Sequence, residues 1–367
     1  MLLEQEIQKS RQSIYTDGYD MSIGEITNLY KDGDLIINPE FQRLFRWETS
    51  KKTKFIESII LRIPIPPIFV FQSKDGKWEL VDGLQRTSTI LELQGVLKNP
   101  DGSTREPLTL DGTKMLPSLA GKKWGESEEE TTTSLSSSQR IEIKRSRMRV
   151  EIIKKDSNPR SKFELFQRLN EGGAELTPQE IRNSVLVMLN PDFFKWLKSL
   201  TEKPAFTDTV RLTENAEMQQ RAVELTTRFV VYRNIPYQSG LDVNEYLSEG
   251  IAQIATEGTL DLKKEEMTFE RTFNLIRDSV GNSAFKRFDG ADFGGQFLLS
   301  SFEVIAIGIS RNLDAVSQSL KQDPLYLSNK IKSLWSTETF RRNSGAGVRG
   351  TTRLANLLPF STTYFGP

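Results

Sequence analysis

The sequence predicts an α+β protein, with an N-terminal α/β part followed by a mostly helical C-terminal part. Two observations predict it. Between residues 22 and 100 short apolar runs bounded by Gly, Pro and Asp alternate with segments of helical periodicity, whereas from Ser161 onward helical periodicity takes over. A length of 367 residues leaves room for two domains and a substantial core.

The elements follow in order. Ser22-Ile23-Gly24-Glu25 has the Ser-x-x-Glu form of a capping box and opens a short helix with Ile23, Ile26, Leu29 and Tyr30 on one face. Leu35-Ile36-Ile37 reads as a strand. Thr49 or Ser50 is placed to cap a second helix carrying Phe55, Ile56, Ile59 and Ile60, which Pro64, Pro66 and Pro67 end. Ile68–Gln72 is a buried strand, and Asp75-Gly76 turns it back into Trp78-Glu79-Leu80-Val81. That strand stops at Asp82-Gly83, and Thr87 through Gln94 reads as a helix. A strand, a Gly turn and a helix in succession leave backbone N–H groups pointing out of a helix N-terminus, a geometry that suits an anion.

Gly121–Gln139 is a polar segment of low complexity, with Glu128-Glu129-Glu130, Thr131-Thr132-Thr133 and Ser136-Ser137-Ser138, and is expected to be a mobile, dispensable loop. Met148–Ile153 alternates as a strand. Phe163, Phe166 and Leu169, then Ile181, Val185 and Leu189, mark two helices on either side of Gly172-Gly173. Met218, Ala222, Leu225, Phe229 and Tyr232 mark another, and the segments near 243–257, 265–280, 297–312 and 315–335 behave alike. The expected plan is an extension over 1–21, an α/β domain over 22–157 containing the flexible loop 121–139, and a helical domain over 158–367.

Composition narrows the chemistry. The sequence has no Cys and no His, which excludes disulfides, thiolate metal sites, cysteine nucleophiles, histidine bases and Ser-His-Asp triads. A metal would be held by Asp, Glu, Asn, carbonyls and phosphates, a donor set for Mg²⁺ or Mn²⁺. The 49 basic and 49 acidic residues cancel, so no overall field draws the chain to nucleic acid or membrane. The N-terminus lacks the apolar run of a signal peptide and no segment approaches the roughly 20 apolar residues of a membrane span, so the expected location is the cytoplasm.

Three constellations are candidates for chemistry. Asn38–Trp47 packs two arginines, a glutamine and three aromatics into ten residues, which serves either a flat anionic ligand or the core. Val81–Thr89 places Asp82, Gly83, Gln85 and Arg86 at the strand-to-helix turn; either Arg86 forks onto phosphate oxygens or the turn merely caps a helix. In Phe166–Asn183, helix stop and start signals account for Gly172-Gly173 and Thr177-Pro178-Gln179-Glu180, leaving Arg168, Asn170, Arg182 and Asn183 to face a pocket. A basic stripe over Arg140–Lys155, with Arg145, Arg147 and Arg149, either follows a nucleic-acid backbone or guards an edge strand.

Taken together, Pro39-Glu40-Phe41-Gln42-Arg43 with Trp47, Pro64-Ile65-Pro66, Asp82-Gly83-Leu84-Gln85-Arg86, and Phe166-Gln167-Arg168-Leu169-Asn170-Glu171-Gly172-Gly173 with Leu176, Glu180, Arg182 and Asn183 resemble the family catalogued as domain of unknown function 262. The GmrS part of the GmrSD modification-dependent restriction enzymes and the phosphorothioate-sensing SspE proteins are among its members. The resemblance implies a ParB/sulfiredoxin-like N-terminal domain followed by helices, and binding or hydrolysis of a nucleoside triphosphate with Mg²⁺ in defence against foreign DNA.

On that resemblance Asp82 and Gln85 are the candidate catalytic residues, Asp82 also holding the metal. Gln42, Arg43, Gly83, Arg86, Arg168 and Asn170 would bind the nucleotide, and Arg145, Arg147 and Arg149 nucleic acid. Leu84 replaces the family's usual Gln, which bears on hydrolysis more than on binding. The HNH nuclease of such members needs a His, so a separate nuclease or effector partner is expected, with DNA as a further partner and no membrane. Two rivals remain open: a non-enzymatic DNA-binding or regulatory module using the same arginines, and a carboxylate-metal nuclease.

Overall fold

The computed structural model describes residues 3–5, 7, 15–42, 45–73, 75–125, 133–154, 168, 177–213, 216, 220–238, 240–345 and 347–366. The chain divides into two units, Met1–Glu175 and Leu176–Pro367. The boundary expected at 157/158 lies outside the described residues.

The first unit contains β1 (Thr16–Ser22), α1 (Ile23–Asp32), β2 (Leu35–Ile36), α2 (Pro39–Gln42), α3 (Thr49–Ile60), β3 (Ile68–Gln72), β4 (Trp78–Asp82), α4 (Leu84–Leu93), α5 (Ser137–Arg145) and β5 (Arg147–Ile153). The strands form one mixed sheet in the order β1-β5-β3-β4-β2. β1/β5 and β3/β4 run antiparallel, β5/β3 and β4/β2 parallel. Ile23, Ile26, Ile56, Ile59, Val70, Leu80, Met148, Val150 and Ile152 are buried in its core. The Ser22 hydroxyl accepts the Glu25 N–H at 3.1 Å, so Ser22 caps α1 as expected, by the serine half of the predicted box. Neither Thr49 nor Ser50 caps α3; Glu48 holds that position without a side-chain bond.

Two local readings are corrected by long-range pairing. Residues 16–21, read as the end of an extension, form with Ser22 the edge strand of the sheet, with Thr16 opposite Ile153 and Ser22 opposite Arg147. Only Met21 of this strand is fully buried, so no alternation announces it.

The second correction concerns the expected loop. Lys123 bridges to Ser134, Leu135 donates its N–H to Lys123 and is 2% exposed, and Ser136 with Gln139 forms the capping box of α5. Both flanks are thus built into the unit, while residues 126–132 lie outside the described residues. Ser136→Ala is expected to lower stability by about 1 kcal/mol in urea unfolding, since one helix-end N–H loses its acceptor. An unchanged midpoint would return the cap to the dispensable part of the segment.

The second unit is a helical assembly: α6 (Pro178–Leu189), α7 (Pro191–Ser199), α8 (Pro204–Thr209), α9 (Arg221–Asn234), α10 (Val243–Glu257), α11 (Leu262–Ser279), α12 (Leu299–Arg311), α13 (Leu313–Gln322), α14 (Tyr326–Leu334), α15 (Glu338–Ser344) and α16 (Gly350–Phe365), with a ribbon of β6 (Arg287–Phe288) and β7 (Phe293–Gly294). The segment 315–335 is two helices, because Pro324 denies a hydrogen bond to the end of α13. Ser300–Ser310 are buried, so α12 is the central helix, surrounded by its neighbours. A side chain at Gly308 would stand 2.5 Å from the Ser361 carbonyl oxygen, so glycine lets α16 lie close against α12. Among the described residues no helix is long and apolar enough to cross a membrane.

Candidate functional site

β4 carries Asp82 to its C-terminal end, and Gly83 follows with φ +95° as the cap of α4. The helix begins at Leu84, three residues before the sequence reading placed it, because the left-handed glycine turns the chain at once. Gln85 and Arg86 therefore stand in its first turn. A Cβ at Gly83 would lie 2.9 Å from Ile68 Cβ, so both the backbone conformation and the space demand glycine.

The Arg86 guanidinium is held from two sides. Its Nη2 donates to Asp82 Oδ2 at 2.8 Å and to the Pro67 carbonyl at 3.0 Å. Its Nε is buried with no partner among the described residues, and so are the hydroxyls of Thr87 and Ser88. Three consecutive residues thus present unsatisfied polar atoms at one helix start. Such groups are costly to bury unless something bonds them.

Gln85 joins this turn to the first constellation. Its Oε1 accepts the backbone N–H groups of Arg46 and Trp47, each at 3.1 Å. Trp47 packs edge-on against Phe55, with ring centroids 5.8 Å apart. Lys52 and Arg105 stand over the Phe45 ring at 4.4 and 5.2 Å, and both reach Glu92, Lys52 at 2.6 Å and Arg105 at 3.0 Å. The aromatics Phe45 and Trp47 are half-buried, serving packing and cation contacts together. Lys52, Glu92 and Arg105 had no sequence signal, since their meeting depends on α3, α4 and the segment after α4 packing together.

The remaining predicted residues are distributed as follows. Gln42 is half-buried at the end of α2, and Arg43 and Asn170 lie outside the described residues. Arg168 is exposed. Arg145, Arg147 and Arg149 are all exposed, but Arg149 is paired with Glu151 at 2.8 Å. Arg182 and Asn183 do not face an open pocket: both are buried in the second unit, Arg182 donating to Gln179 Oε1 at 2.8 Å and Asn183 accepting from Gln179 Nε2 at 2.7 Å. Burial pushes the Arg182 guanidinium pKa down to about 10. Thr177 and Glu180 form the predicted capping box.

Among the described residues no group of three or more Asp or Glu could hold a metal ion. Asp82 is the one carboxylate at the turn, and its Oδ2 is taken by Arg86. A cation there would need phosphate oxygens and water for most of its shell, which is the coordination Mg²⁺ favours.

Residues 23–187 match the family described as GmrSD restriction endonuclease, N-terminal domain. This stretch is similar to the GmrSD N-terminal domain. It contains the whole Asp82–Arg86 turn and the Gln85 clasp, and it indicates a component of a restriction-type defence system. The GmrSD match runs past Glu175 into α6, so it includes the capping box of Thr177 and Glu180 as well as Arg182 and Asn183. Neither the curated proteins nor the solved structures gave a significant match.

Proposed function

We propose that the chain is the nucleotide-binding component of a restriction-type defence system, working in the cytoplasm, with a ParB/sulfiredoxin-like N-terminal domain that takes a nucleoside triphosphate and Mg²⁺. The observation that carries this reading is the row of unsatisfied polar atoms on Arg86, Thr87 and Ser88 at a helix start. A phosphate offers acceptors to Arg86 Nε and to the first-turn N–H groups, and it also relieves the burial penalty. Asp82 and the Pro67 carbonyl orient the guanidinium beforehand, so little rotamer freedom remains to be lost on binding. Gln85 acts as a positioning residue that keeps the Arg46–Trp47 segment beside the turn.

The Arg86 side chain is only 17% exposed, which favours a small ligand over the broad backbone of DNA for this turn. Mg²⁺ would rest on Asp82 and the phosphates. Leu84 brings no polar group to the first turn, so this reading commits to binding, with Asp82 the residue left to orient a water if turnover occurs. Cleavage of DNA is assigned to a separate nuclease, because a chain without histidine offers no such base.

Calorimetric titration with a nucleoside triphosphate and Mg²⁺ tests the assignment. Arg86→Ala is expected to weaken binding by about 2 to 3 kcal/mol. Thr87→Val separates binding from folding: removing an unsatisfied hydroxyl at constant shape leaves the melting temperature unchanged or higher while affinity falls. Equal affinities for wild type and both variants would refute the site.

A further inference from the structure

A groove of about 660 Å³ runs along the first unit between the strands β1 and β5, the connection from α3 to β3, and α5. It is separate in its lining from the Asp82–Arg86 turn. Among the described residues four arginines line it, Arg62, Arg145, Arg147 and Arg149, against two carboxylates, Asp20 and Glu142. The carboxylates are already engaged or faced: Arg62 pairs with Glu142 at 2.8 Å, and Arg149 stands opposite Asp20 in the β1/β5 register while pairing with Glu151. Arg145 and Arg147 are exposed and have no hydrogen bond or ion pair to any described residue. The groove therefore carries two uncompensated guanidinium charges.

Their placement is regular. Arg145 ends α5, Ser146 is extended with φ −60° and ψ 143°, and Arg147 opens β5. The extended Ser146 separates the two Cα atoms by about 6 to 7 Å, so both guanidinium groups lie within reach of one stretch of phosphate backbone. Ile63 and Ile141, 44% and 46% exposed, supply an apolar floor. Among the described residues no aromatic ring lines the groove, so unstacked bases would find no platform there.

We propose that this groove seats the phosphate backbone of duplex nucleic acid, with Arg145 and Arg147 as its phosphate contacts and no reading of base sequence. Charge complementarity selects the occupant, and the absence of rings selects duplex over single strand. Arg149, counted with them in the sequence reading, contributes little because Glu151 and Asp20 already answer its charge.

The test is fluorescence anisotropy of the full chain with a short labelled DNA duplex over a range of salt concentrations. The double variant Arg145→Gln/Arg147→Gln should bind roughly tenfold more weakly near 0.1 M salt, with the slope of log affinity against log salt shallower by about 1.8, two contacts at ~0.9 each. Arg149→Gln should stay within about twofold of wild type, its charge being already paired. Both substituted positions of the double variant are exposed, so its melting temperature should be that of the parent. Absence of duplex binding by the wild type at low salt, or equal affinity and slope in the double variant, overturns the proposal. So does a double variant that keeps duplex binding and loses affinity for a polyglutamate peptide, which would make the groove an acidic-protein site. Arg86→Ala, probed in parallel, should keep duplex binding, so the two sites fail separately.

Discussion

Glu303→Ala is expected to destabilise the second unit by about 3 kcal/mol, because it removes the counter-ion of the part-buried Arg353 and one of the two carboxylates of the buried Arg228. Glu303 lies on the central helix α12 and has no solvent exposure. Its carboxylate accepts from Arg353 Nε at 2.7 Å, from Arg228 Nη1 at 3.2 Å and from the Tyr232 hydroxyl at 3.3 Å, which ties α9, α12 and α16 together. Burial raises the Tyr232 pKa well above the usual phenol range, so the hydroxyl stays a neutral donor. Arg228 has a second carboxylate in Glu224 at 2.7 Å, whereas Arg353 loses both of its hydrogen bonds to Glu303.

Urea unfolding followed by Trp196 and Trp335 fluorescence reads the loss in the unit concerned. Glu303→Gln, which keeps the shape and one acceptor, should fall between wild type and alanine. Joint replacement of Glu303, Arg228 and Arg353 by apolar residues of similar volume should recover much of the loss, since the buried carboxylate leaves together with the two guanidinium groups it binds, while Glu224 keeps Arg221. An alanine variant as stable as the parent would show that the network contributes nothing.

Gly83→Ala is expected to damage both stability and the proposed nucleotide site. A left-handed backbone at φ +95° costs an L-residue about 1 to 2 kcal/mol, and forcing the new methyl against Ile68 adds about 1 to 3. The methyl would also stand 3.3 Å from Arg86 Nη2, the atom that holds Asp82 and Pro67. Gly76→Ala is the internal control: its φ is +88°, yet nothing lies within 4 Å of the added carbon, so it should lose the conformational part alone. The difference between the two midpoints isolates the clash. Equal losses would mean that Ile68 gives way freely, and an unchanged nucleotide affinity in Gly83→Ala would detach the glycine from the site.

Local chemistry was legible in the sequence because its partners are a few residues apart. The Ser22 cap, the Thr177–Glu180 box, the Asp75-Gly76 turn and the helices expected near 243–257 and 297–312 rest on interactions within one or two turns of chain, and each is present. The ordered motifs between residues 38 and 183 fall inside the matched stretch, since a family pattern is itself a property of the linear chain.

The tertiary structure decided what joins distant residues. Strand Thr16–Ser22 exists because it meets Arg147–Ile153, and Arg182 is buried by helices from far along the chain rather than by anything in its own motif. Gln85 reaches Trp47 across 38 residues and Arg228 reaches Glu303 across 75. Which of Arg145, Arg147 and Arg149 keeps an unanswered charge follows from Glu151 being on the same sheet face as Arg149 and from Asp20 standing opposite. Such pairings rest on closing long loops and on packing whole elements, free energies that belong to the folded chain as a unit and leave no mark on a short window of sequence.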